Sequence, residues 1–526
     1  MGLRGNRLLY AVAGFASLGQ FLFGYDQGVM SGVLVDPRWL QTMHHPSEAM
    51  QGQIVGVFLL AAWVTAYVAS YAMEAWGRRG TIQLGSLIFA VGGIVQAASQ
   101  TVAVLAIGRA ITGVGIGFLS TALPVYTTEL ARAANRGRVT IMGMSINMLG
   151  YAASVFVDYG CSYGSSDWMT WRLPLLLQSV FAVILFLGSV FLPESPRWLV
   201  AHGRADAGAR VIARLFDLPP SEPPVVAEVR HIQADADRMA ALATPSWREM
   251  LVHYRHRSFI AVAVQTLGQM SGVNCVTYFA PKMYATAGIV GHQALLLSAV
   301  TGLVYFAGAV VAIFVVDVLG RRPVFMTGSL LMAVWLTALA IFVKIGTPAV
   351  SWFVIAFMML FMFTFGASWA CLDWLYPAEI FNLRVRSKGM ALAVGANWLS
   401  NYAIASITPP MLVHLGWVTY LFYAAWNLVA IGVVFLSFPE TRGCSLETID
   451  DLFSDGQRPS RDARSSAYAP LENPLHDASM SRVTLDGLAL AGDLADHHDD
   501  DDAYAAKMHQ RREPARTTLL PTPKKE

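Results

Sequence analysis

Charged residues are scarce: Asp, Glu, Lys and Arg make up 14% of the 526 residues, against 55% apolar ones. With a mean hydropathy of +0.48, that balance excludes a soluble globular protein of this size and places the chain in a bilayer. Cysteine is scarce too. Cys161, Cys275, Cys371 and Cys444 have no metal-ligand spacing, and two fall in apolar runs, so neither a disulfide framework nor a zinc site is expected. No Asn-x-Ser/Thr sequon occurs, and N-glycosylation is not expected. There is no phosphate-binding glycine loop, nucleophile motif or metal site, so the reading is not an enzyme, and no cofactor is expected. The glycines of GVGIG (Gly113 to Gly117) lie inside an apolar run, where close helix packing is their use. A net charge of +2, with basic residues in short clusters between apolar runs, excludes a nucleic-acid-binding face.

What the chain has is long apolar runs. Twelve reach spanning length, at about 8–35, 52–73, 81–100, 102–126, 139–159, 172–192, 258–286, 293–316, 323–343, 350–376, 388–413 and 417–438. They predict an all-α membrane protein of twelve transmembrane helices, divided six and six. The organisation expected is an N-terminal six-helix bundle over 1–192, a cytoplasmic linker with short helices over 193–257, a C-terminal bundle over 258–453, and a disordered cytoplasmic tail over 454–526. The linker has a Pro-rich break at Pro219, Pro220, Pro223 and Pro224, and an amphipathic segment from Ala205 to Leu218. In the tail, Asp499 to Asp502 beside His497 and His498 read as a solvated charge run. The basic start, Arg4 and Arg7, precedes an apolar run too long for a signal-peptide core, so the first span is expected to remain.

Arg78, Arg79, Arg132, Arg136, Arg138, Arg321, Arg322, Arg384, Arg386 and Lys388 fall on alternate loops, as does a basic set in the linker. The intervening loops carry little besides Arg38, Arg172 and Lys344. By the positive-inside rule, both termini are cytoplasmic. Three motifs recur at corresponding places in the two halves. WGRRG (Trp76 to Gly80) returns as LGRRP (Leu319 to Pro323), TELARAANRGR (from Thr128) as PAEIFNLRVRSKG (from Pro377), and PESPR (from Pro193) as PETRG (from Pro439). Repetition in register argues for two related bundles around a midplane site.

One charge lies deep in the first run. Asp26, within FLFGYDQGVMSG (Phe21 to Gly32), places a carboxylate inside the membrane, at a cost of about 3 kcal/mol at a helix centre. Either it is a packing or helix-end polar group, satisfied by nearby Gln27, or it takes up and releases a proton; the second reading is preferred. Arg109 lies about seven residues from the outer end of span four and Asp26 about nine from that of span one, depths of roughly 10 and 14 Å. A guanidinium favours the charged carboxylate and a dry site the neutral one, so moving the pair apart loads and unloads a proton. A static bridge between spans one and four is the alternative.

Together these motifs, with GYDQGVMSG and FVDYGCSY before WRLP, resemble the sugar porter family of the major facilitator superfamily, and its fungal sugar and polyol transporters in particular. The resemblance covers Leu8 to Phe453. It implies a central hexose-sized cavity opening alternately to each side. It also implies an inner charge network that holds the outward-open state: Arg78, Glu129, Arg136, Glu194 and Arg197 in the first half, and Asp317, Arg321, Glu379, Arg386, Glu440 and Arg442 in the second. Glu74 with Ala75 departs from the usual acidic-basic pair and implies a weaker first-half lock. Proton-coupled members carry the Asp26 and Arg109 pair.

For the solute, the resemblance points to Gln269, Asn274, Tyr278 and Phe279 of span seven, the last two as an outer lid. Gln265, one turn earlier, points the same way. Trp374 matches an aromatic floor and Asn397 and Asn401 on span eleven match amides, whereas Tyr305 on span eight stands where an Asn is common. Asp373 beside the floor is unusual, there either to bind hydroxyls, to hold a second proton or to face a polar crevice. Gly268 replaces one usual glutamine, and Gly143 and Met144 another, with Asn147 nearby. Fewer amides suit a polyol, a pentose or a modified sugar as well as a hexose. The expected function is inward proton symport of a sugar or polyol across a fungal plasma membrane, by a chain working as a monomer. A facilitative uniporter and a non-transporting nutrient sensor are the alternatives.

Overall fold

The computed structural model describes residues 4–131, 136–241, 246–381, 384–442 and 453; side chains at 136–141, 239–241, 317, 348 and 387 are outside that description. Every described residue belongs to one compact unit within 1–460. The predicted tail, with His497 to Asp502, and Cys444 lie outside the described residues.

The described residues form helices and no strand. α1 (Gly5–Ala16) and α2 (Leu18–Val33) make the first apolar run, and the short α3 (Pro37–Thr42) follows. α4 (Glu48–Ala97) holds the second and third runs, and α5 (Val102–Leu130), α6 (Arg136–Cys161) and α7 (Leu173–Ser189) hold the next three. The linker folds as α8 (Pro196–Ala201), α9 (Ala205–Phe216), α10 (Pro223–Ala241) and α11 (Trp247–Val252). The second half comprises α12 (Arg255–Met270), α13 (Val273–Thr286), α14 (His292–Leu319), α15 (Arg321–Ile345), α16 (Ser351–Ile380), α17 (Arg386–His414) and α18 (Val418–Ser437). Each of the twelve predicted runs falls on helix. Nine stretches among the described residues are long and apolar enough to cross a bilayer; α4 counts once among them, and α6 and α17 are not included.

Two glycines divide what would otherwise be continuous helix. Gly77 (φ 79°, ψ 174°) breaks α4, and Gly320 (φ 92°, ψ 164°) separates α14 from α15. The repeated motifs thus share one backbone conformation, in a region that only glycine enters without strain. In the linker, Val200, Ile212, Ala213, Val225 and Ile232 form a small core of their own. Pro223 and Pro224 open α10 rather than extending the break, because the first helical turn needs no N–H donor.

Close helix contact is set by a glycine stripe on α2. A methyl group on Gly24 would lie 1.8 Å from the Asn147 carbonyl oxygen, on Gly28 2.1 Å from Ser154 Oγ, and on Gly32 2.4 Å from Asp158 Oδ2. The three glycines, four residues apart, form one ridge against α6. The opposite side of α2 is thereby turned towards α5, and Asp26 lies on it.

There are two apolar cores. One is built mainly from α1, α2, α4, α5 and α7, joined by Tyr278, Phe279, Val394, Trp398 and Ala405. The other is built mainly from α12 to α18, joined by Met144, Met148, Tyr151 and Val155 of α6.

Candidate functional site

Arg109 Nη1 donates to Asp26 Oδ2 at 2.7 Å, and both side chains are 0% exposed. The guanidinium also sits 4.6 Å from the centroid of the Phe58 ring, a cation–π contact that partly replaces its lost hydration. Similar helical depths, read from sequence, here become direct contact between α2 and α5. A buried pair of this kind tolerates poorly the removal of either member, at about 3–5 kcal/mol.

Beside it runs a broken helix. Gly272 (φ 98°) interrupts the seventh apolar run between α12 and α13, and Phe279 departs again from helical geometry two residues before Pro281. These interruptions turn α13 so that Tyr278 and Phe279 join the first core. Tyr278 lies beside Gln27 and Asn401 and within electrostatic range of Asp26 and Arg109. The predicted lid and the predicted proton pair are therefore neighbours.

The predicted amides form two short networks. Gln265 Nε2 donates to the Asp373 carbonyl at 2.7 Å and its Oε1 accepts from Asn397 Nδ2 at 2.6 Å. Asn274 Nδ2 donates to Gln269 Oε1, and Asn274 Oδ1 accepts from Thr277 at 2.9 Å. Asp373 is 3% exposed, and its carboxyl lies beside Gly268. The absent side chain at 268 thus leaves space that Asp373 occupies. Tyr305 packs on Phe365 with centroids 6.0 Å apart, within electrostatic range of Asp373. Trp374 packs on both cores, as a floor between the halves would.

At the arginine-rich end the repeat is reproduced bond for bond. Arg78 Nη2 donates to Glu129 at 2.8 Å, and Arg321 Nη2 to Glu379 at 2.9 Å. Glu194 accepts from the N–H groups of Arg78 and Arg79, and Glu440 from those of Arg321 and Arg322. Each glutamate caps the helix that starts after the glycine break, where an anion is favoured by unpaired N–H groups and the helix dipole. Ser195 and Thr441 donate to Glu129 and Glu379 at 2.5 and 2.7 Å. These contacts each stay within one half. Arg386 donates to the Phe381 carbonyl, and the Arg442 N–H to Glu440. Arg197 is half-buried and meets none of these glutamates. Glu74 is exposed and contributes its carbonyl to Trp198 at 2.9 Å. The side chains of Arg136 and Asp317 lie outside the described residues.

The halves meet at the other end. Lys282 of α13 bonds Glu48 and, at 2.5 Å, Gln51 of α4. Ser162 contacts His292 Nδ1 at 2.6 Å, and the imidazole stacks on Tyr163 with centroids 4.1 Å apart. Tyr402 donates to Gln53 at 3.0 Å, and Trp398 packs on Phe23. This end is closed across the halves. Just beyond lies a cavity of about 500 Å³ whose wall includes Asp36, Arg38, Asp158, Lys282 and His292. Asp36 accepts from the N–H groups of Arg38 and Trp39; its burial nevertheless holds its pKa above the ordinary carboxylate value.

The sequence reading missed Asp158 as a site residue, although the signal was that of Asp26, an acid inside a predicted span. It also missed the Lys282 contacts, which depend on two helix ends meeting across the molecule.

Paired helical halves, a broken helix at their junction and a buried acid-base pair beside it are the features of a membrane transporter. The chain belongs to the sugar (and other) transporter family, whose sequence profile matches residues 12–453, within the major facilitator superfamily. An MFS-type transporter of Aspergillus cristatus, criB, is 34% identical over 464 residues, 86% of this chain and 95% of the relative. The high glucose sensor RGT2 of Saccharomyces cerevisiae is 32% identical over 472 residues, 86% of this chain and 61% of the sensor. The proton:xylose symporter XylE, solved with 6-bromo-6-deoxy-D-glucose, superposes with a TM-score of 0.72 at 25% identity, over 85% of this chain and 100% of that one. The chain is thus a multi-pass membrane protein and a sugar transporter of this superfamily.

Proposed function

We propose that this chain is a secondary active transporter that carries a sugar or polyol into the cell together with a proton, by alternating access. The observation that carries the reading is the fully buried Asp26–Arg109 pair, 2.7 Å apart and beside the lid tyrosine of a broken helix. When the outer side is open, water reaches Asp26 and the acid takes a proton; closure over the solute buries it; on the inner side Arg109 recaptures the emptied carboxylate. XylE, which shares the fold, is named a proton symporter.

In this reading the arginine-rich end faces the cytoplasm of a plasma-membrane protein with both termini inside. The halves 1–192 and 258–453 rock as bundles around the central site, and the linker and tail lie in the cytoplasm. The solute is held by Gln265, Gln269, Asn274, Asn397 and Asn401, over Trp374 and beside Asp373 and Tyr305, with Tyr278 and Phe279 closing above it. The glutamate and arginine networks at the inner end brace each half. The conformation described above is closed on the outside. The chain works as a monomer.

The test is uptake of labelled hexoses, pentoses and polyols into transporter-deficient cells at acid and neutral pH, with and without a protonophore. Acid-stimulated, protonophore-sensitive accumulation of one of them is the expected result. Uptake that stops at equilibrium points to a facilitator. Binding without uptake points to a sensor, the reading that the likeness to RGT2 favours. For the accepted solute, Gln265→Leu removes both the donor to Asp373 and the acceptor for Asn397, and is expected to raise apparent KM roughly tenfold, about one hydrogen bond's worth.

A further inference from the structure

Among the described residues Asp158 is the third acid buried in the spans, after Asp26 and Asp373, and neither the solute site nor the proton pair uses it. It lies on the last turn of α6, 3% exposed, pressed against Gly32 at the floor of the outer cavity. Neither carboxyl oxygen meets a side-chain donor or a cation. The cavity's two cations are engaged elsewhere, Lys282 with Glu48 and Arg38 with Asp167 at 3.6 Å. The other titratable groups around Asp158 are Tyr25 on α2, Asp36 beyond it, and Tyr151 and Cys161 on α6. On the cavity wall is His292 of α14, bonded to Ser162. Among the described residues, the group beside it that favours a negative charge is the neutral backbone N–H of Gly32, which does not replace the lost hydration. Burying Asp158 ionised would therefore cost several kcal/mol, and neutralising it avoids that cost.

The walls around Asp158 come from both halves. Gly32 and Asp36 belong to the first; Lys282, His292 and Leu295 belong to the second and close the cavity from the other side. Separation of the halves at this end withdraws the second wall and admits water to the carboxylate.

We propose that Asp158 is a proton-operated latch of the outer gate: it is ionised when the outer side is open and binds one proton from the external medium as that side closes. The proton stays on the carboxyl while the outer side is shut and returns to the same medium when it reopens. It is therefore not transported, and the proton carried across remains that of Asp26. External acid favours the closed outer gate, and the advantage is lost as pH rises. The proposal rests on the alternating-access reading but not on proton coupling at Asp26.

The test uses the full chain with its four native cysteines replaced by serine, reconstituted in lipid nanodiscs. Spin labels are placed at Met50→Cys and Val290→Cys, two exposed positions on opposite halves at this end. In an Asp26→Asn background, which removes the transported proton, the closed-to-open ratio is expected to rise about fivefold or more per pH unit on acidification from about pH 7, one proton allowing at most about tenfold. Adding Asp158→Asn, or Asp158→Ser if the amide variant does not reach the membrane, is expected to cut that rise below about twofold, and Asp158→Glu to retain it. An undiminished rise in the Asn or Ser variant overturns the proposal, as does its loss in His292→Gln with Asp158 intact. Failure of proton coupling is read separately, by solute accumulation in the chain with Asp26 intact.

Discussion

Replacing Asp26 by asparagine is expected to abolish uphill accumulation while leaving downhill exchange measurable. The amide reproduces the shape and charge of the protonated acid, a state the cycle visits, so the halves can still rock with solute bound. What it cannot do is release a proton inside, and the accumulation ratio should fall to about one. The buried Arg109 guanidinium loses its counter-ion and keeps a neutral amide oxygen and the Phe58 ring, so a lower yield of folded protein accompanies the change, within the few kcal/mol expected for breaking a buried pair. Exchange of labelled for unlabelled solute across equilibrated membranes separates the two effects. Unaltered accumulation by the variant would remove the proton role from Asp26.

The second large effect is expected at Gly24. Leucine there would drive its first side-chain carbon to 1.8 Å from the Asn147 carbonyl, and the obstacle is helix backbone, which cannot rotate aside. α2 and α6 would have to part along the whole glycine ridge, costing more than about 3 kcal/mol. The expected result is near-complete loss of folded protein at the membrane, read as detergent-extracted monodisperse yield. Gly14→Leu is the matched control, because an added side chain there meets nothing within 4 Å. Equal yields of the two would mean that the ridge does not set this packing.

Much of this was legible in the chain because the bilayer leaves few options. Unpaired backbone groups are so costly in lipid that apolar runs of spanning length must be helical, and all twelve fall on helix. The duplicated WGRRG and LGRRP motifs announced the duplicated geometry of Gly77 and Gly320, since a glycine followed by two arginines at a loop has few other uses. Asp26 and Arg109 could be matched because depth along a helix is simple arithmetic. Which helices face each other is not. The partnership of Gln265 with Asn397 depends on α12 packing against α17, and that of Gln269 with Asn274 on the turn introduced at Gly272; no local pattern announces either the helix neighbours or how far that break rotates α13. Gly268 looked like the loss of an amide; the structure shows the Asp373 carboxyl in the space beside it. Asp158 passed as part of a signature because it sits near a span end, where acids are common, and its burial arises from packing against Gly32.

The central claim is that solute and proton move together through the Asp26–Arg109 site. Its most direct measurement is the pH of a weakly buffered medium around de-energised cells or proteoliposomes holding the chain, recorded as an accepted solute is added. The account predicts prompt alkalinisation, one proton taken up per solute, absent in the Asp26→Asn variant. Solute uptake by the unaltered chain with no change in external pH would contradict it.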